Sequence, residues 1–194
     1  MRIACIGEGQ TEYFCLPTIV GRRGHTVVGN LIVNGCSEDW ELAISSKVIP
    51  RVFGMAEKQP DKILITLDRE RRPRCSPLLA QSALQLIGDA LTAKNMKCSV
   101  AIVVADLSFE SILFADYSLV DRLAILRTPL SPRLGATLDG KNALAHIADC
   151  LLPGKSYDKV VHGRALAQKL RLDEAGVLNR SRSLRKLLKE IPGV

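Results

Sequence analysis

Two nearly uninterrupted apolar runs, Lys62-Ile63-Leu64-Ile65-Thr66-Leu67 and Cys98-Ser99-Val100-Ala101-Ile102-Val103-Val104, constrain this chain more than any other feature. A strand with apolar side chains on both faces must be covered on both faces, as in a parallel sheet sandwiched by helices. Between the runs, residues 77–94 carry Leu78, Leu79, Ala83, Leu86, Ile87 and Leu91 as the inner face of a helix. The same alternation precedes them. Residues 2–6 read as a buried strand. Residues 12–20 read as a helix with Thr11 as N-cap, Leu16, Ile19 and Val20 inward, and Pro17 shortening or kinking it. A strand over 26–34 ends at the turn dipeptide Asn34-Gly35. A helix over 39–57 follows, capped by Asp39 or Ser37, with Trp40, Ile44, Val48 and Val52 at helical spacing despite Pro50. The order βαβαβαβ predicts an α/β, Rossmann-like fold: a mainly parallel sheet of about four strands, helices on both faces, and right-handed crossovers.

Beyond residue 111 the strand signals stop. Residues 112–115 look helical and 128–135 form a loop punctuated by Pro and Gly. Helices are expected at about 141–151, 157–170 and 181–190. The predicted organisation is a core of residues 1–116 with a helical C-terminal extension, 117–194, packed on it as one structural domain. In the last helix Leu184, Leu187, Leu188 and Ile191 make an apolar stripe that either packs on the core or forms a dimer contact; packing at home is the preferred expectation. A chain of 194 residues can bury a sizeable core of this kind.

No apolar run reaches the roughly 20 residues that span a bilayer, and Glu8 interrupts the N-terminal run before an export signal could form, so a cytoplasmic protein without membrane association is expected. The six cysteines contain no C-x-x-C pair, which argues against a zinc or dithiol site. No local signature of a Ser/His/Asp or Cys/His catalyst and no phosphate-loop glycine pattern is present. His25, His146 and His162 read as structural or surface residues. A formal net charge of +7 favours an anionic partner such as nucleic acid.

Acids stand at the end of three predicted strands: Glu8 after the first, Asp68 and Glu70 after the third, Asp106 and Glu110 after the fourth. Parallel strands share one C-terminal edge, so these carboxylates are expected to converge there, where open α/β sheets bind ligands. Partly desolvated carboxylates repel unless a cation lies among them, and an all-oxygen donor set favours Mg²⁺ or Mn²⁺ over zinc. Taken singly, Glu8 can equally be a helix-start acid, Glu12 a solvated first-turn residue, and Asp68 a loop cap neutralised by Arg69, Arg71, Arg72 and Arg74. The arginine cluster can likewise be a solvated loop or a grip on phosphates.

Three segments also carry a resemblance. Glu8-Gly9-Gln10-Thr11-Glu12, Leu67-Asp68-Arg69-Glu70, and Ser108-Phe109-Glu110-Ser111-Ile112-Leu113-Phe114-Ala115-Asp116, with the tail Tyr157-Asp158-Lys159-Val160-Val161-His162-Gly163-Arg164-Ala165-Leu166-Ala167, resemble the small stand-alone Toprim-like proteins along nearly the whole chain. In the wider Toprim superfamily, which includes topoisomerases, primases and overcoming-lysogenization-defect nucleases, the first-strand glutamate is a general acid or base and a later acidic pair holds divalent metal. The resemblance therefore implies Glu8 as the catalytic acid or base, and Asp68, Glu70 and Glu110 as ligands of Mg²⁺ or Mn²⁺. Glu12 and Asp106 are alternatives or supports of that set. The pair here is Asp-x-Glu where Asp-x-Asp is usual.

The expected function is a metal-dependent phosphodiester-cleaving enzyme, a nuclease, in a phage-defence setting that the resemblance alone implies. Arg69, Arg71, Lys159 and Arg164 would grip the nucleic-acid backbone. The alternative is a non-catalytic Toprim-like module that binds nucleic acid or protein. A homodimer or a defence-system partner protein is a further expectation.

Overall fold

The computed structural model describes residues 1–36 and 39–193. Strands β1 (Arg2–Gly7), β2 (Thr26–Ile32), β3 (Lys62–Asp68) and β4 (Val100–Ala105) form one all-parallel sheet in the order β2-β1-β3-β4. Side chains alternate cleanly across it. Ile3, Cys5, Leu64, Ala101 and Val103 join one buried cluster, whereas Ala4, Ile6, Ile63, Ile65, Ile102 and Val104 join the other. Helix α1 (Gln10–Arg22) covers the first face; α2 (Trp40–Ala43), α3 (Ile49–Ala56) and α4 (Ser76–Ala93) cover the second. The chain steps from β1 to β2 in one direction and then crosses back to β3. Crossovers of one hand in opposite directions put their helices on opposite faces, and the order reverses between β1 and β3, the place where doubly wound sheets open a ligand crevice.

Two prolines inside helices are accommodated differently. Pro17 lacks the N–H that would bond the Tyr13 carbonyl; the Asn30 side chain donates to that oxygen instead at 2.7 Å, and α1 runs on to Arg22. Pro50 lies just after a π turn, Ile44–Val48, that joins α2 to α3. The wider turn absorbs the missing bond while Trp40, Ile44, Val48 and Val52 all remain buried. Asp39 caps α2 by accepting from the Leu42 N–H; Ser37, the other expected cap, lies outside the described residues. Asn34 and Gly35 both adopt positive φ, as the turn after β2 requires.

The C-terminal half is built of short helices: α5 (Glu110–Leu113), α6 (Tyr117–Val120), α7 (Ser131–Leu134), α8 (Ala143–Ala148), α9 (Val161–Lys169), α10 (Ala175–Leu178) and α11 (Arg182–Glu190). They share the buried cluster of α1 and the first sheet face, so the extension and the sheet have one core there. Ser181 caps α11 by accepting from the Leu184 N–H. Leu184, Leu187 and Ile191 are fully buried in the chain itself, so that stripe packs at home. Arg171 ties the segment after α9 to the start of α6 through three bonds to the fully buried Asp116, one from its backbone N–H and two from its guanidinium. No helix among the described residues is long and apolar enough to cross a membrane.

Candidate functional site

The sheet order places the end of β1 beside the end of β3, with Gly7 opposite Thr66. Glu8 leaves β1 on the second face, and its carboxylate is clamped there. One oxygen accepts from the Asp68 N–H at 2.8 Å and the other from the Cys36 N–H at 3.2 Å. Glu8 thus ties the ends of β1, β3 and the loop after β2. Burial raises its pKa, the Glu70 charge adds to that, and the two amide bonds and Arg72 oppose it.

On the first face the helix start turns Glu12 inward. The N-cap of α1 is Gly9, two residues before the expected Thr11, so Glu12 is the third helical residue and accepts from the Gly9 N–H at 3.2 Å. This is the return bond of a capping box. The Glu12 stem lies directly over Gly7: a Cβ at Gly7 would stand 2.3 Å from Glu12 Cβ. Glycine at that position makes the approach possible. Glu12 is 3% exposed, and its pKa is pushed up to about 7 by burial, with the Glu110 and Glu8 charges adding to the rise.

Asp68 closes the group from β3. Its Oδ1 is out of contact with solvent and has no hydrogen-bond partner among the described residues. Burial holds its pKa well above the ordinary carboxylate value, reinforced by the charges of Glu12, Glu8 and Glu110 and opposed by Lys159. Glu110, at the start of α5 and 2% exposed, accepts from Thr11 Oγ1 at 3.1 Å and has Lys159 Nζ at 3.8 Å. Thr66 Oγ1, Ser111 Oγ and Tyr157 Oη are further buried polar atoms without a partner. Tyr157 lies close enough to Glu110 and Cys15 for their charges to add to the burial that raises its own pKa.

The structure therefore brings together Glu8, Glu12, Asp68 and Glu110, with Lys159 as the nearby cation. Two of the expected acids are directed to other partners. At Glu70 the chain turns with φ of +52°, and the half-exposed carboxylate points toward Arg72, 3.9 Å away. Asp106 is occupied by Arg69 Nε at 2.6 Å and by the Gly140 N–H. Arg69 is thereby tied to the β4 end, Arg71 is exposed, and Arg164 lies over the Phe14 ring at 5.4 Å. Arg72 acts as a latch, donating to the carbonyls of Asp68, Arg69 and Cys36 while stacking on Trp40.

The sequence reading passes over the inward turn of Glu12 and over Thr11, Ser111 and Tyr157 as site residues. The available signal is the Gly-x-x-Glu spacing from Gly9 to Glu12, a capping-box pattern that fixes the rotation of the helix. Cys5, Cys15 and Cys36 are buried thiols with pKa pushed up to about 12, so they stay protonated and add no thiolate ligand.

The donor set fits a hard divalent cation in chemistry: it is made of carboxylate oxygens, Asp68 Oδ1 is buried and unsatisfied, and the neighbouring carboxylate charges add to the burial that raises Glu12 and Asp68. As the side chains stand, no three His, Cys, Asp or Glu among the described residues are close enough to hold a metal ion. Binding would require Asp68, Glu12 and Glu110 to draw together, with Lys159 giving way. No family model, curated protein or solved structure matches the chain.

Proposed function

We propose that the carboxylate cluster at the β1/β3 edge binds Mg²⁺ or Mn²⁺ and that the protein is a metal-dependent phosphodiesterase acting on nucleic acid. The observation that carries this reading is the gathering of the buried acids Glu8, Glu12 and Glu110 around the unsatisfied Asp68 Oδ1 at the topological switch point. Asp68 and Glu110, with Glu12 behind them, would hold the cation. When bound, the cation would polarise a phosphoryl oxygen and lower the pKa of a bound water.

Glu8, with its raised pKa, would move the proton, the role the Toprim resemblance implies, while its two amide bonds fix its orientation. Glu12, at about 7, is matched in pKa to proton transfer near neutral pH and is the alternative group for that step. Lys159, 56% exposed and beside Glu110, would meet the phosphate; Arg71 and Arg164 would extend the positive surface. A cytoplasmic setting and a role in phage defence belong to the same proposal.

One observation favours a second reading. Both Glu8 oxygens are committed to backbone amides and Glu70 is turned aside, an arrangement that also suits a non-catalytic module holding nucleic acid or a protein partner. The deciding experiment is cleavage of single- and double-stranded DNA and RNA with Mg²⁺ or Mn²⁺, comparing wild type with Glu8→Ala and Asp68→Ala. Cleavage by wild type and at least about 100-fold loss in both folded variants supports the enzyme. No cleavage of any substrate, with salt-dependent binding that survives both substitutions, supports the module.

A further inference from the structure

A cleft opens on the second face of the sheet, along the outer edge of β4. It encloses about 530 Å³, a volume suited to a small organic ligand. Its floor is apolar: Ile102 and Val104 of β4, 1% and 4% exposed, lie at the bottom, and Ala80 and the exposed Pro77 of α4 lie above them. Its rim is charged. Arg69, Arg182 and Lys186 stand against two carboxylates, Asp106 and Asp139.

Both carboxylates are already spent. Asp106 accepts from Arg69 Nε and the Gly140 N–H, and Asp139 accepts from the Arg182 N–H and Nε. Among the described residues the terminal nitrogens of Arg182 make no hydrogen bond, and its side chain is 73% exposed. Among the described residues Lys186 is held by Glu190 alone, one turn along its own helix. The rim therefore offers unused cationic donors and no unused carboxylate. Helix α4, 18 residues long, begins at the mouth without a side-chain cap, so the N–H of Ser76 adds to the attraction for an anion, Pro77 having none.

A ligand that satisfies both parts has a flat, largely apolar body and an anionic end. We propose that this cleft binds a nucleoside monophosphate, its base against the exposed Pro73 and Pro77, above the Ile102 and Val104 methyls, and its phosphate between Arg182 and Lys186. The site goes beyond the proposed cleavage reaction: it uses none of Glu8, Glu12, Asp68 or Glu110, and it needs no metal.

The test is binding of the four common nucleoside 5′-monophosphates in EDTA, followed by equilibrium dialysis and by NMR of the Ile and Val methyl groups. Saturable binding at one site per chain is expected, with shifts at the Ile102 and Val104 methyls and weaker binding of inorganic phosphate. The surface double variant Arg182→Glu/Lys186→Glu, shown to be folded by its thermal transition, should lose at least about tenfold in affinity. Asp68→Asn should bind as wild type does, which separates this site from the carboxylate cluster. The proposal is overturned if no nucleotide binds at millimolar concentration, if binding is unchanged in the double variant, or if inorganic phosphate binds as well and the methyls do not move.

Discussion

Replacing Glu12 by Gln should make the cation-free protein more stable at alkaline pH while abolishing its stabilisation by Mg²⁺. Glu12 is 3% exposed, so solvent screens it little. Its carboxyl, ordinarily at 4.5, stands at about 7 in the fold because of burial and the neighbouring Glu110 and Glu8 charges. Between those two values the folded chain retains a proton that the unfolded chain has lost. Stability therefore falls as pH rises from 4.5 to 7 and is level above, with a total loss on the order of 3 kcal/mol from this group. Asp68, also raised, acts in the same direction.

Urea denaturation followed by circular dichroism in EDTA, from pH 4.5 to 8, reads this directly. Wild type should lose at least roughly 3 kcal/mol across the range, since Asp68 and Glu8 add to the Glu12 loss. Glu12→Gln should lose clearly less and exceed wild type at pH 8. With Mg²⁺ at about 100 times its dissociation constant, wild type should gain about 2.7 kcal/mol at pH 8, and the variant little. Identical pH profiles for the two proteins, or equal gains from Mg²⁺, would refute the reasoning.

Gly7→Ala should destabilise by about 1–3 kcal/mol, because its Cβ would meet Glu12 Cβ at 2.3 Å; chemical denaturation measures it, and an unchanged midpoint would contradict the close approach. Lys159→Met should tighten Mn²⁺ binding about two- to fivefold, since an exposed ammonium 3.8 Å from Glu110 competes with the metal for about 0.5–1 kcal/mol, yet should slow any cleavage of nucleic acid; titration calorimetry and the cleavage assay report the two arms. Arg171→Ala should lower the urea midpoint at pH 7. Burial alone would raise the Asp116 pKa, but the bonds from Arg171 and Ser118 together hold it below the ordinary 3.8. That stabilisation is present above pH 3.8 and lost as pH falls through the folded value, so the two proteins should converge in strong acid.

The sheet was legible because β3 and β4 are apolar on both faces, a pattern that leaves a parallel, doubly covered strand as its outcome. The meeting of Glu8, Asp68 and Glu110 followed from topology, since parallel strands share an edge. Glu12 was harder to place. Starting the helix at Gln10 rather than after Thr11 rotates the carboxylate from solvent onto Gly7, and a shift of two residues at a helix start exceeds what capping preferences resolve. The position of Glu70 depends on one residue with φ of +52°, a conformation that nothing in Asp-Arg-Glu announces. Asp106 is withdrawn by partners 34 and 37 residues away in the chain, Gly140 and Arg69. Leu78, 54% exposed at the first turn of α4, is turned outward because Leu79, 1% exposed, takes the inward position of that turn beside Trp40. The four-residue helices of the C-terminal half are too short to show a period.

The most direct measurement is crystallographic. Crystals soaked in Mn²⁺ and measured at the manganese edge should show an anomalous peak bound by Asp68 and Glu110, with Glu12 drawn toward it and Lys159 displaced from Glu110. Density with no peak among these carboxylates, and Lys159 still paired with Glu110 at saturating Mn²⁺, would contradict the account.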